Sequence, residues 1–171
     1  MSSSIVVRIL RLLSLVLAQV VVFNNMHLYG CITPLVIGYM LLSFSRDTSR
    51  VSLLLWGFAA GLIHDMFANT AGMAAASMTL VAMMRTQIME MLAPRDASED
   101  FVPTVATMGA GRYFLYATLV MTIMHTCYIM LNTLSFTRFH FTLISIAGSA
   151  LLSALLCTLI DIIAHPKRHT R

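Results

Sequence analysis

Residues 51–68 read VSLLLWGFAAGLIHDMFA. Apart from His64 and Asp65, the stretch carries nothing that lipid would reject. A helix rises 1.5 Å per residue, so 18 residues cover about 27 Å. That nearly matches the hydrocarbon core of a bilayer, about 30 Å. The stretch Val51 to Ala68 therefore reads as a membrane-spanning helix, with Arg50 before it and the uncharged Asn69-Thr70 turn after it. Gly57, Gly61 and Asp65 are spaced by four. Each step of four turns about 40° on a 3.6-residue helix, so the three share one stripe. Two glycines on a stripe let a second helix approach the backbone, as in GxxxG contacts. Asp65 then faces protein rather than lipid. It is placed to cap the next helix near Thr70 to Gly72, or to accept a hydrogen bond from a neighbouring span. Ala71, Gly72, Ala74, Ala75 and Ala76 continue the small residues into the following segment, so the two segments read as a tightly packed hairpin.

Working outward, five more segments approach the length of a span. They are Ile5 to Phe23, Leu28 to Phe44, Thr70 to Leu92, Tyr113 to Leu131 and Phe141 to Ala164. The first has a basic start but lacks an A-x-A cleavage site, so it reads as an uncleaved span rather than a signal peptide. The composition agrees: 58% of the 171 residues are hydrophobic, 11% are charged, and mean hydropathy is +0.84. A soluble domain carries about 25% charged residues. The expected fold is thus an all-α bundle of six transmembrane helices, one membrane domain over residues 1–171.

The connections alternate in charge. With the N-terminus in the cytoplasm and six crossings, one side collects Arg8, Arg11, Arg46, Arg50, Arg85, Arg95, Arg112, Lys167, Arg168 and Arg171. The other side receives Arg138 alone. The positive-inside rule supports this span count, with both ends cytoplasmic. The same distribution explains the net charge of +4 through membrane lipids and topology, and no basic patch with interleaved aromatics points to nucleic acid.

Ionisable residues within spans each require a reason. Asp65 has one in the hairpin. His64, His125 and Tyr128, with Asp65, are the only residues from which a polar pocket in the outer half can be assembled. Asp161, near the end of the last segment, is placed to reach interfacial water and to pair with His165 four residues on. Cys31, Cys127 and Cys157 form no CxxC pair and have no zinc-ligand spacing, so they read as packing residues, as do most of the fourteen methionines. No GxSxG, HExxH, P-loop or paired carboxylate cluster is present, and no cofactor, metal or catalytic residue is expected.

From Trp56 to Arg85 the chain reads WGFAAGLIHDMFANTAGMAAASMTLVAMMR. This stretch resembles the rod shape-determining protein MreD family. That family's signature is a glycine-rich span ending in a hydrophobic pair, an Asp and a small turn, then Gly and a small-residue helix. Here the pattern falls on Gly57, Gly61, Leu62, Asp65 and Gly72, with Pro34 fitting near the start of the second segment; His64 departs from an apolar position. The resemblance implies a multi-pass subunit of the bacterial inner membrane, without catalysis, that assembles the elongation machinery for side-wall peptidoglycan. It implies MreC, MreB, RodA and its partner transpeptidase as partners. It also implies a fold similar to the substrate-binding subunits of energy-coupling-factor transporters. Such a vitamin-binding subunit is the alternative. Those subunits often carry an Ala-xxx-Ala pattern in the first span, where this chain has Ala18 alone.

Overall fold

The computed structural model describes residues 3–23, 33–70, 72–98, 100–132 and 139–165. Cys31, Ala71, Arg138, Lys167, Arg168 and Arg171 lie outside the described residues, as do the connection Asn24 to His27 and the start of the second segment. Every regular element among the described residues is helical. Helix α1 (Ser3–Ala18) runs into a π-helical turn, Gln19–Phe23. A 3-10 turn (Val36–Gly38) leads into the single-turn helix α2 (Tyr39–Leu42). Then follow α3 (Arg50–Ala68), α4 (Met73–Leu92), the short α5 (Val105–Met108), α6 (Ala110–Asn132) and α7 (Phe139–Ala164). Among the described residues three helices, α3, α6 and α7, are long and apolar enough to cross a membrane. The 20-residue α4 is less apolar because it carries Arg85, Gln87 and Glu90.

Burial runs opposite to that of a soluble protein. Leu10, Leu17, Val51, Leu55, Met66, Met91 and Ile163 are exposed, Ile163 to 80%. Gln19, His64, Asp65, Arg85, His125, Ser149, Ser153 and Asp161 are buried, each 3% exposed or less. In water such groups are rarely buried, and apolar patches this extensive are rarely exposed. In lipid, apolar side chains face outward at no cost, and polar groups turn inward to find partners. This is the pattern of a helical membrane protein.

The second segment departs from its expected form. Leu28 to Phe44 reads as one continuous helix, but its described part is irregular at residues 33–35 and helical only over Val36–Gly38 and Tyr39–Leu42. Pro34 has no N–H and disfavours helical backbone in the residue before it, Thr33. The segment is buried from Pro34 to Leu42. Irregular backbone is tolerated at membrane depth only where protein surrounds it and satisfies its polar groups.

Contacts between connections order the ends of the helices. The Arg8 guanidinium lies 4.9 Å from the centre of the Phe44 ring. The Arg46 N–H donates to the Phe101 carbonyl at 2.8 Å. Asp161, near the end of α7, accepts the Val105 N–H at 2.6 Å. The start of α1, the connection after α2, the connection after α4 and the end of α7 therefore meet at one end of the bundle.

Candidate functional site

The site begins with the α3–α4 hairpin. Ser49 opens α3, its hydroxyl accepting the Ser52 N–H at 3.3 Å, an ordinary N-cap. At the other end Asn69 adopts the left-handed conformation, φ 54°, and its N–H returns to the Asp65 carbonyl. Asparagine is among the few residues that tolerate that conformation at a helix end. Gly72, at φ 78°, supplies the second left-handed turn. Gly72 has no side chain with which to cap α4, and the cap comes from Asp65 instead. The Asp65 Oδ1 accepts the Ala74 N–H at 3.0 Å, and Oδ2 accepts the Ala75 N–H at 2.9 Å. The Thr70 hydroxyl also donates to Oδ1. One residue thus closes α3 through its backbone and opens α4 through its side chain. A carboxylate also suits the positive end of the α4 dipole.

The glycine stripe faces α4. A Cβ at Gly61 would lie 2.5 Å from both the Ala74 carbonyl oxygen and the Ala75 Cα. A Cβ at Gly57 would lie 3.0 Å from the Met78 carbonyl oxygen and 3.1 Å from the Ala82 Cβ. Gly61 therefore marks backbone against backbone, and Gly57 a slightly looser crossing.

Pro34 belongs to a second cluster. Its carbonyl accepts the Gln19 side-chain amide at 2.9 Å. The Gln19 Oε1 in turn accepts the Val36 N–H at 2.7 Å and the Ile37 N–H at 3.4 Å. Two serines on α7 complete the set: Ser149 Oγ accepts the Thr33 N–H at 3.1 Å, and Ser153 Oγ accepts the Leu35 N–H at 3.0 Å. His125 closes it from α6. Its Nδ1 lies 2.8 Å from the Met121 carbonyl, and its Nε2 lies 3.3 Å from both the Thr33 carbonyl and Ser153 Oγ. The side chains of three helices thereby replace the ladder that residues 33–37 lack.

The residues grouped above as a polar pocket are only partly brought together. His64 meets Tyr128 edge-on, with ring centres 6.5 Å apart, and its Nδ1 has no hydrogen-bond partner among the described residues. His125 is engaged with Thr33 and Ser153 instead. Asp161 does not reach water as expected: it is fully buried, accepting from the Tyr39 hydroxyl at 3.0 Å and from Val105. Its expected pairing with His165 is present, at 3.2 Å. Burial follows because the short helices α2 and α5 cover the end of α7, which a count of residues along α7 cannot reveal.

Sequence reasoning missed Gln19, Ser149, Ser153 and the inward course of Arg85. Arg85 is completely buried; its Nε donates to the Tyr116 hydroxyl at 2.9 Å, and its terminal nitrogens donate to the Phe44 and Ser45 carbonyls. A signal existed for Gln19, a lone amide in an apolar first segment. The serines carried none, being common in membrane helices. Among the described residues no three His, Cys, Asp or Glu side chains converge as metal ligands. Cys127 and Cys157 are free thiols. Comparison with protein-family models, with curated proteins and with solved structures finds no match for this chain.

Proposed function

We propose that this chain is a six-span, non-catalytic subunit of the bacterial rod complex, of the MreD kind, that assembles and positions peptidoglycan synthesis in the inner membrane. One observation carries the reading. Four of the residues on which the resemblance rests form a single physical unit: Gly57 and Gly61 admit the α4 backbone, Asp65 caps α4, and Gly72 makes the turn between them. A pattern in which each position has a separate structural task is less easily met by chance than a string of small apolar residues.

The meeting of the start of α1 and the end of α7 at one end supports an even number of crossings. Arg8, Arg46 and Arg50 belong to that end, which supports a cytoplasmic placement. The inward polar groups of the Pro34 cluster are engaged on the chain's own backbone, which suits a rigid scaffold. MreC, MreB, RodA and its transpeptidase are the proposed partners.

The test is an affinity capture of the tagged chain from gently solubilised native membranes, read by mass spectrometry. Recovery of MreC with the wall-synthesis enzymes is the expected result. Recovery of a membrane coupling subunit with ATPases would overturn the proposal in favour of a vitamin transporter. Asp65→Leu should still insert but should lose partners in the same capture; undiminished recovery would remove Asp65 from the scaffold.

A further inference from the structure

At the end of the bundle where α1 begins, a cavity of about 170 Å³ opens between α1 and residues 40–45. Arg8, Arg11, Ser43 and Ser45 supply its polar lining, with Met40, Phe44 and Val102. Arg8 and Arg11 are three residues apart on α1 and so project from one face. The Phe44 ring lies under the Arg8 guanidinium, 4.9 Å from its central carbon, a cation–π contact. Neither arginine has an ion-pair partner among the described residues, where the one pair is His165 with Asp161.

A third cation stands behind the cavity. Arg85 donates to the Phe44 and Ser45 carbonyls from the buried side. No acid among the described residues forms an ion pair with any of the three. Asp161 is occupied by Tyr39, Val105 and His165. Asp47 is exposed, and its backbone N–H donates to Ser45 Oγ at 3.3 Å, which leaves the Ser45 hydroxyl proton available. Three guanidiniums therefore gather about residues 43–45, two of them on the open cavity.

We propose that this cavity binds a phosphate group. Arginine presents a planar fork that matches phosphate oxygens two at a time; the Ser45 hydroxyl adds a donor, while that of Ser43 donates to the Met40 carbonyl at 3.0 Å. Basic pockets between membrane helices hold acidic headgroups in this way. The source favoured by the surroundings is an acidic phospholipid, because Ile5, Ile9, Leu10 and Leu13 are exposed on the same helix and give acyl chains a path. The site rests on the chain's membrane character and not on its membership of the rod complex, so failure of either leaves the other standing.

The test titrates the purified full-length chain in a neutral detergent, following thermal unfolding. Phosphatidylglycerol, phosphatidylcholine and inorganic phosphate are the three probes. Saturable stabilisation by phosphatidylglycerol and not by phosphatidylcholine is expected, with affinity falling about tenfold or more in Arg8→Gln or Arg11→Gln. Arg11→Lys should recover part of the loss, which separates charge from folding damage. Arg112→Gln, an exposed arginine outside the cavity, should respond as the parent does. An arginine-dependent response to inorganic phosphate alone supports the phosphate site and assigns a soluble source. A phosphatidylglycerol response unchanged in Arg8→Gln and Arg11→Gln, or one matched by phosphatidylcholine, overturns the proposal.

Discussion

Replacing Asp65 by alanine tests the hairpin most sharply. The carboxylate serves the Ala74 and Ala75 N–H groups, and both residues are 4% exposed or less. Water therefore cannot take over as acceptor. A buried donor left unpaired costs about 1–3 kcal/mol, and loss of an N-cap oxygen typically costs about 1 kcal/mol. Two orphaned donors at the low to middle part of that range give a loss of about 2–4 kcal/mol. For a chain of this size each kcal/mol moves Tm by about 2–4 °C, so Asp65→Ala should lower Tm by about 4–16 °C. Asp65→Asn should fall between, because its one carbonyl oxygen retains one N–H while its amide opposes the other. The assay is thermal unfolding of purified protein in a mild detergent. If both variants melt within a degree of the parent, the capping account is wrong.

Three further expectations follow from the same packing. Gly61→Ala places a methyl 2.5 Å from backbone atoms of α4 and should cost about 1–3 kcal/mol, while Gly57→Ala, at 3.0 Å, should cost less; equal melting of the two variants contradicts the stripe. Gly72→Ala meets no neighbouring atom, yet its φ of 78° should still cost about 1–2 kcal/mol from backbone strain alone, read in the same unfolding assay. Gln19→Met removes the acceptor of the Val36 and Ile37 N–H groups, so hydrogen exchange at those amides should quicken while that of α6 is unchanged; unaltered protection would detach Gln19 from the broken segment.

The parts legible in the sequence are those set by local pattern. Hydropathy located α3, α6 and α7 to within a few residues, since each is a continuous apolar run of membrane-spanning length. Spacing by four brought Gly57, Gly61 and Asp65 onto one face, and Asp65 caps a helix only a few residues downstream. The illegible parts depend on distant partners. Residues 33–44 are as apolar as a span, and what breaks their helix is Pro34 together with acceptors on the turn after α1 and on α7. The Thr33 and Leu35 N–H groups find serines 116 and 118 residues away. Arg85 raised the apparent polarity of α4 without exposing a charge, because Tyr116 and the carbonyls of Phe44 and Ser45 just after α2 receive it inside the bundle. Hydropathy sums residues along a helix and has no knowledge of which of them face inward.

The central claim is an inside-out helical bundle that crosses the membrane, with the hairpin turn at Asn69 on the opposite side from the connections after α2 and α4. Single cysteines at exposed Asp47, Asn69 and Asp96, in a chain with Cys31, Cys127 and Cys157 replaced, put it to the test with a membrane-impermeant maleimide. In intact spheroplasts position 69 should label and positions 47 and 96 should not, with the reverse in inverted vesicles. Labelling of all three positions from the same side would contradict it.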